Sequence, residues 1–75
     1  MSKLPHISSR ECIRALAKMG FYFVRQKGSH IILQRDNPYA LTVVPQRREL
    51  PPGTLRDIIR DTGLTVDEFI ALLRE

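Results

Sequence analysis

Apolar residues follow a helical period near both ends of the 75-residue chain and a strand-like period in its middle. The first helix is predicted to begin at Ser8, because Ser8 and Glu11 have the spacing of a capping box. Ile7 and Cys12 flank this box at the two positions where apolar side chains commonly pack together. Gly20 is expected to end the helix, since glycine readily takes the backbone conformation found just past a helix.

The middle of the chain predicts an antiparallel meander of three strands. Aromatic and β-branched residues over 21–25 favour a first strand, and residues 26–29 supply a turn. The second strand is expected over 29–35 and the third over 40–44, with a turn at 36–38 between them. Alternation along the second strand divides its residues between two faces, with His30, Ile32 and Gln34 on one and Ile31, Leu33 and Arg35 on the other.

Two further helices are predicted after the strands. Thr54 is expected to cap the first of them, which ends at Gly63, and Thr65 and Glu68 form a second capping box. Helices at both ends of the meander would cover one face of the sheet and leave the other open. The predicted fold class is therefore α+β, in the order α-β-β-β-α-α, with a three-stranded antiparallel sheet in one domain over residues 1–75.

Charge is distributed unevenly along the chain, which favours a nucleic-acid partner. Residues 1–48 contain nine Lys and Arg residues against two acidic ones, whereas residues 49–75 contain three against six. The net charge of +4 therefore combines a basic part with an acidic part. A basic surface attracts polyanions, although a merely solvated basic surface is the simpler alternative.

The single cysteine and the distribution of apolar residues narrow the class of protein further. Cys12 alone forms neither an internal disulfide nor a cysteine-based metal cage, and we assign no metal or cofactor to the chain. No apolar run approaches the roughly 20 residues of a membrane span, and the N-terminus has no apolar signal stretch. The sequence therefore predicts a protein of the reducing cytoplasm that does not bind membranes.

The segment Lys27-Gly28-Ser29-His30-Ile31 carries the most specific chemistry. A basic turn leads His30 onto the start of a strand, beside Lys27 and Arg25. Histidine exchanges protons near neutral pH and the cations attract phosphate, which is the combination that RNA cleavage requires. The alternative for His30 is a strand-edge histidine that only makes a hydrogen bond. The other histidine, His6, is expected in an N-terminal tail without a role.

Five short motifs occur in a fixed order over nearly the whole chain. They are Gly20-Phe21, the run from Arg25 to His30, Val44-Pro45, the run from Gly53 to Ile58, and the run from Gly63 to Phe69. In this order and at this spacing, they resemble the HicA (YcfA-like) toxins, which are small messenger-RNA interferases.

The resemblance implies a fold like the double-stranded-RNA-binding domain and cleavage of messenger RNA. Because RNA carries its own nucleophile, the 2′-OH, we expect this cleavage to need no metal. It also implies the toxin of a type II toxin–antitoxin pair, neutralised by a HicB-like antitoxin protein that covers the active face. The family's catalytic histidine corresponds to His30. Many members carry another histidine two residues after the Val-Pro pair, where this chain has Arg47, and arginine cannot shuttle protons.

Within this resemblance, His30 is the candidate general base, and Lys27 is the cation expected to meet the charge that develops on the phosphate. Because at least two of the three aromatic residues at 21–23 are expected in the core, only Tyr22 and Tyr39 are candidates for stacking on bases. The other residues expected to bind RNA are Arg25, Arg35 and Arg47 near the phosphate, and Arg10, Arg14 and Lys18 along one face of the first helix.

Other functions stay open from the sequence. A non-catalytic RNA-binding module of the same fold would tolerate the loss of His30 and keep its affinity for RNA. A protein whose main task is to dock with an acidic antitoxin would use the same basic surface. A DNA-binding helix-turn-helix around Gly63 is disfavoured, because Asp57 and Asp61 would bring negative charge to the groove.

Overall fold

The order of elements along the chain is α-β-β-β-α-α, as the sequence predicts. The structure is a computed structural model that describes residues 3–74. Their helices and strands are α1 (Ser9–Ala17), β1 (Tyr22–Lys27), β2 (His30–Asp36), β3 (Tyr39–Pro45), α2 (Pro52–Thr62) and α3 (Val66–Arg74). The strands form an antiparallel sheet in the order β1-β2-β3, so the fold class is α+β. Within residues 3–74, no helix has both the length and the apolar character that a membrane crossing needs.

The connection between β1 and β2 is tighter than the sequence predicts. Gln26 and Lys27, which are expected in a turn, continue β1 instead, and Lys27 pairs with His30 across a two-residue turn. Gly28 occupies this turn with a φ of 59°, a backbone conformation that favours glycine. The longer ladder therefore places Lys27 directly opposite His30.

The helices cover one face of the sheet, and alternation along β2 decides which residues face them. Ile31, Leu33 and Arg35 are buried, as the alternation predicts. α1 and α2 pack on β3, and α1 also packs against α3. Burying one large apolar side chain contributes about 1.5–3 kcal/mol, so this layer holds the fold together. Its largest fully buried side chains are Phe69, Leu16, Leu33, Leu55, Ile58, Val44 and Cys12.

The opposite face of the sheet is open to solvent and partly apolar. On this face, Ile32 pairs with Val43 and Gln34 pairs with Leu41. Val43, Leu41 and Tyr39 are 43%, 46% and 68% exposed. Because successive odd positions of β3 share a face, these three side chains form an exposed apolar row (Tyr39, Leu41, Val43) along the strand.

The prediction that at least two of the aromatic residues at 21–23 lie in the core is wrong. Phe21 is buried, but Tyr22 and Phe23 are both exposed. Every residue of β1 is exposed, because β1 is an edge strand and the helices pack on β3 at the other edge. The hydrophobic pattern of a strand does not indicate how far the covering helices extend across the sheet.

Two of the three predicted capping residues, Ser8 and Thr65, cap their helices in the structure. In α1, Ser8 Oγ accepts a hydrogen bond from the Glu11 N–H, and the Glu11 carboxylate accepts one from the Ser8 N–H. Thr65 and Glu68 make the same reciprocal pair before α3. The prediction that Thr54 caps α2 is wrong, because the helix already begins at Pro52. Proline suits this position, since its fixed φ matches a helix and its missing N–H has no helical partner there.

Candidate nucleic-acid interface

His30 opens β2 at an exposed end of the sheet. Its direct neighbours are Lys27 on β1 and Pro45 on β3. Directly opposed residues of an antiparallel pair lie on the same face, with their Cβ atoms about 4.5–5.5 Å apart. The imidazole and the Lys27 ammonium therefore share the open face of the sheet, and both residues are exposed.

Arg25 adds a second cation to this end of the open face. It pairs with Ile32, which follows His30 on the same face of β2, so Arg25 and His30 are diagonal neighbours about 7–8 Å apart. Among residues 3–74, no acidic side chain forms an ion pair with either cation or with His30. These residues form a basic corner (Arg25, Lys27, His30) whose charge is available to an anionic ligand.

Two glutamines hold the turn next to the basic corner. The Gln46 N–H donates to the Ser29 carbonyl at 2.6 Å, one residue beyond the end of β3. The Gln26 side-chain amide donates to the Gly28 carbonyl at 2.9 Å and to Gln46 Oε1 at 3.1 Å. The turn that leads into His30 is therefore fixed against the segment that follows β3.

A cleft of about 470 Å³ lies between the start of α1 and the segment after β3. Its cations are Arg10 from α1 and Arg47 and Arg48 from that segment. Across residues 3–74, no acidic side chain forms an ion pair with these arginines. The residues that line this arginine cleft are Ser8, Ser9, Arg10, Gln46, Arg47 and Arg48.

The remaining two basic residues predicted on α1 lie along a different surface. Arg14 and Lys18 line a smaller cavity together with Leu72 and Leu73 of α3. The Lys18 ammonium donates to the Leu72 carbonyl at 2.6 Å. The basic stripe predicted for α1 is thus divided, because only its first member reaches the arginine cleft.

Arg35 lies inside the fold, contrary to its predicted place beside an RNA phosphate. It is 8% exposed, and its guanidinium donates to the Pro38 carbonyl at 2.9 Å and to the Thr62 carbonyl at 3.2 Å. Its guanidinium carbon also lies 4.8 Å from the centre of the Phe21 ring. Thr62 ends α2, where helix carbonyls attract positive charge. The strand alternation that grouped Arg35 with buried residues was the sequence signal for this structural role.

A polar network lies on the open face at the far end of β2 from the basic corner. The Tyr22 hydroxyl donates to Asp36 Oδ1 at 2.7 Å, and the Gln34 amide donates to the same oxygen at 3.1 Å. The hydrogen bond from Tyr22 and, to a lesser extent, that from Gln34 hold the pKa of Asp36 below its usual value. The bond to Asp36 in turn raises the pKa of Tyr22. These bonds fix the exposed ring of Tyr22 on the sheet.

Two acidic residues, Asp61 and Glu49, contact side chains that lie far from them in sequence. Asp61 accepts a hydrogen bond from the Thr42 hydroxyl at 3.1 Å, so α2 directs this carboxylate toward β3 and not toward a DNA groove. Glu49 accepts from His6 Nδ1 at 3.2 Å between two exposed side chains. Within residues 3–74, no three His, Cys, Asp or Glu residues are grouped so that they could hold a metal ion.

Two features of the interface are not predicted from the sequence. Arg48 enters the sequence prediction only through the net charge, although its position beside Arg47 was a signal of a local basic site. The arginine cleft itself depends on a contact between residues 38 positions apart, Ser9 and Arg47. No local pattern indicates that contact.

A family model described as "HicA toxin of bacterial toxin-antitoxin" matches residues 9–64 of the chain. The match begins at the first residue of α1 and ends just past α2. It includes the basic corner and the three arginines of the arginine cleft. No curated protein matches the chain.

Proposed function

Since the chain belongs to the HicA toxin family of bacterial toxin–antitoxin systems, we propose that it is an endoribonuclease that cleaves messenger RNA. The observation that supports this most directly is the pairing of His30 with Lys27 at an exposed end of the sheet, with Arg25 on the same face. One proton-exchanging group beside two exposed cations meets the chemical needs of phosphodiester cleavage.

RNA carries its own nucleophile, so the protein has to supply proton transfer and charge stabilisation. Neutral His30 takes the proton from a ribose 2′-OH that lies within about 3 Å of a ring nitrogen. The 2′ oxygen then bonds to the adjacent phosphorus while the bond to the 5′ oxygen breaks. The products are a 2′,3′-cyclic phosphate and a 5′-hydroxyl end, and no metal ion takes part in this step.

The cations of the basic corner act on the phosphate. The Lys27 ammonium stabilises the negative charge that grows on the phosphate oxygens as the 2′ oxygen attacks, and Arg25 assists from its diagonal position. The leaving 5′ oxygen receives its proton from water or from the Lys27 ammonium. Because Arg47 stands where many family members have another histidine, no second imidazole shares this work, and we expect a slow nuclease.

Membership of a toxin–antitoxin family implies an antitoxin partner, and we propose a HicB-like protein that covers the open face of the sheet. The exposed apolar row lies beside the basic corner, since Val43 pairs with Ile32, which shares a face with His30. A partner with apolar side chains over the row and carboxylates over the corner matches this surface in both chemistries. Such a partner would exclude RNA from His30.

The test compares the purified chain with His30→Ala on a long single-stranded RNA in EDTA. His6→Ala is the matched control, because it removes the other histidine, which is exposed and whose side-chain hydrogen bond among the described residues goes to Glu49. Circular dichroism establishes that all three proteins are folded, and RNA binding is measured alongside cleavage. We expect cleavage by the parent and by His6→Ala but not by His30→Ala. An unchanged cleavage rate in His30→Ala would overturn the proposed role.

The second candidate function is a non-catalytic RNA-binding module, which is favoured by Arg47 in place of a second histidine. In the same experiment, binding by all three proteins without cleavage by any of them would support this function. In such a module, replacing a charged side chain that contacts RNA would change the affinity for RNA and its salt dependence. Replacing His30 would leave both quantities unchanged.

A further inference from the structure

The arginine cleft continues into a second cavity that leads toward β2. This cavity, of about 230 Å³, shares three lining residues with the arginine cleft and adds the side chains of Ile13 and Ile31. Ile31 directly follows His30 in β2. Because Ile31 and His30 project to opposite faces of β2, the groove formed by the two cavities lies on the helix side of the sheet, and it meets the face that carries the imidazole only around this end of the sheet.

The attraction of the groove for anions comes from its arginine side chains. The first turn of α1 is already capped by the Ser8 hydroxyl, so its backbone contributes little. Two acids adjoin the groove arginines in sequence. Glu11, after Arg10, is directed back to the Ser8 N–H at 3.0 Å, and Glu49, after Arg48, accepts from His6 Nδ1 at 3.2 Å. Neither carboxylate forms an ion pair with an arginine of the groove among the described residues.

A backbone contact connects the groove to the cleavage site. Gln46 lines both cavities, and its N–H donates to the carbonyl of Ser29, the residue that precedes His30. A strand of RNA that leaves the imidazole around this end of the sheet meets Gln46 first and the arginines next. The order of these residues along the surface suits a polymer that passes His30.

We infer that the arginine cleft binds a backbone phosphate of the RNA strand that passes around the end of the sheet from His30, and that the Ile13 and Ile31 part receives a neighbouring sugar or base. The inference rests on the proposed function, because it takes RNA as the ligand. Guanidinium groups form paired hydrogen bonds with phosphate oxygens, and three of them border one cleft. The apolar part fits a nucleotide better than a free phosphate ion. Arg14 and Lys18, which face α3, have no part in this subsite.

The test measures binding of a fluorescent single-stranded 2′-deoxy oligonucleotide of about six nucleotides to the full-length chain. This probe lacks the 2′-OH, so cleavage does not affect the measurement. Arg10→Gln and Arg48→Gln remove one charge each from the cleft. Arg56→Gln is the matched control, since Arg56 is exposed on α2 and lines none of these cavities. Anisotropy over a range of salt concentrations gives the affinity and its salt dependence.

We expect each cleft variant to weaken binding about threefold to tenfold. The slope of log affinity against log salt should also fall by about 0.7 for each phosphate that the variant no longer binds. Equal effects from Arg56→Gln and the cleft variants would mean that only net charge matters, and this would overturn the inference.

The same variants are then tested on RNA. Cleavage with unchanged KM in both cleft variants also overturns the subsite while leaving the nuclease intact. If the cleft variants bind the oligonucleotide more weakly but the parent cleaves no RNA, the subsite is supported and the nuclease is contradicted.

Discussion

Ser9 and Arg47 lie 38 positions apart and are joined by three hydrogen bonds. The Ser9 N–H donates to the Arg47 carbonyl at 3.0 Å, and the Ser9 hydroxyl donates to the same carbonyl at 3.1 Å and accepts from the Arg47 N–H at 3.2 Å. Ser9 is buried and Arg47 is exposed, so these bonds are partly shielded from water. They attach the segment after β3 to the start of α1 and thereby form the arginine cleft.

Replacing Ser9 by alanine should destabilise the protein and widen the arginine cleft. The change removes the two partly buried hydrogen bonds of the hydroxyl, and at about 0.5–1.5 kcal/mol each this lowers the free energy of unfolding by about 1–3 kcal/mol. Denaturant titration measures this loss, and oligonucleotide binding measures the cleft. Thr65→Ala is the control, because it removes the cap of α3, costs about 1 kcal/mol and leaves the cleft intact. Equal oligonucleotide affinity in Ser9→Ala and the control would contradict the structural role given to Ser9.

Arg35→Gln should lower stability without changing RNA affinity. Glutamine cannot reach both the Pro38 and the Thr62 carbonyls, and leaving the buried Thr62 carbonyl unpaired costs about 1–3 kcal/mol. Thermal unfolding measures the loss, and oligonucleotide binding is measured well below the unfolding temperature. The opposite result, with weaker binding at unchanged stability, would return Arg35 to the RNA-binding surface predicted from the sequence.

The pKa of Asp36 should rise toward its usual value in Tyr22→Phe. The hydroxyl of Tyr22 makes the largest contribution to lowering this pKa, because its hydrogen bond favours the ionised carboxylate. In the parent this bond stabilises the fold above the usual Asp pKa, and the stabilisation is lost as the pH falls through the lowered pKa of Asp36. An NMR titration of the side-chain carboxyl carbon measures the shift. Gln34→Ala should produce a smaller rise, and an equal or larger one would contradict this ranking.

Val43→Ser should weaken the complex with the antitoxin while leaving the fold stable. Val43 is 43% exposed in the apolar row, so its loss costs little in the isolated chain but removes apolar area from the proposed interface. Val24→Ser is a matched control, because Val24 is also 43% exposed but lies at the bulge of β1. Calorimetric titration with the cognate antitoxin measures both affinities. If the control weakens binding as much as Val43→Ser, the apolar row is not the docking surface.

Local chemistry along the chain was enough to predict most of the secondary structure. The two capping boxes, the alternation along β2 and the turn residues after it all act between neighbours in sequence, so the order of residues contains them. The prediction failed at the start of α2, where neighbouring residues offered two possible first positions for the helix. Thr54 is a good capping residue, yet Pro52 begins α2 two positions earlier.

The basic corner was predicted in part for the same reason. His30, Lys27 and Arg25 are close in sequence, and a hairpin is the shortest way to bring them together. The pairing of Lys27 with His30 was not predicted, because it follows from the two-residue turn and not from the composition of the strands. The match over residues 9–64 confirms the family resemblance, whereas the catalytic role that the resemblance gave to His30 stays a prediction.

The sequence by itself determined the fold class, the order of the elements and the identity of the residues that bring charge and proton exchange to the surface. Only the tertiary structure decided which of the basic residues are available to a ligand. Arg35 is buried at the end of α2, Lys18 is bound to α3, and Arg10 faces Arg47 and Arg48 across a cleft. The physical reason is that the direction of a long side chain depends on the elements packed around it, and those elements come from distant parts of the chain.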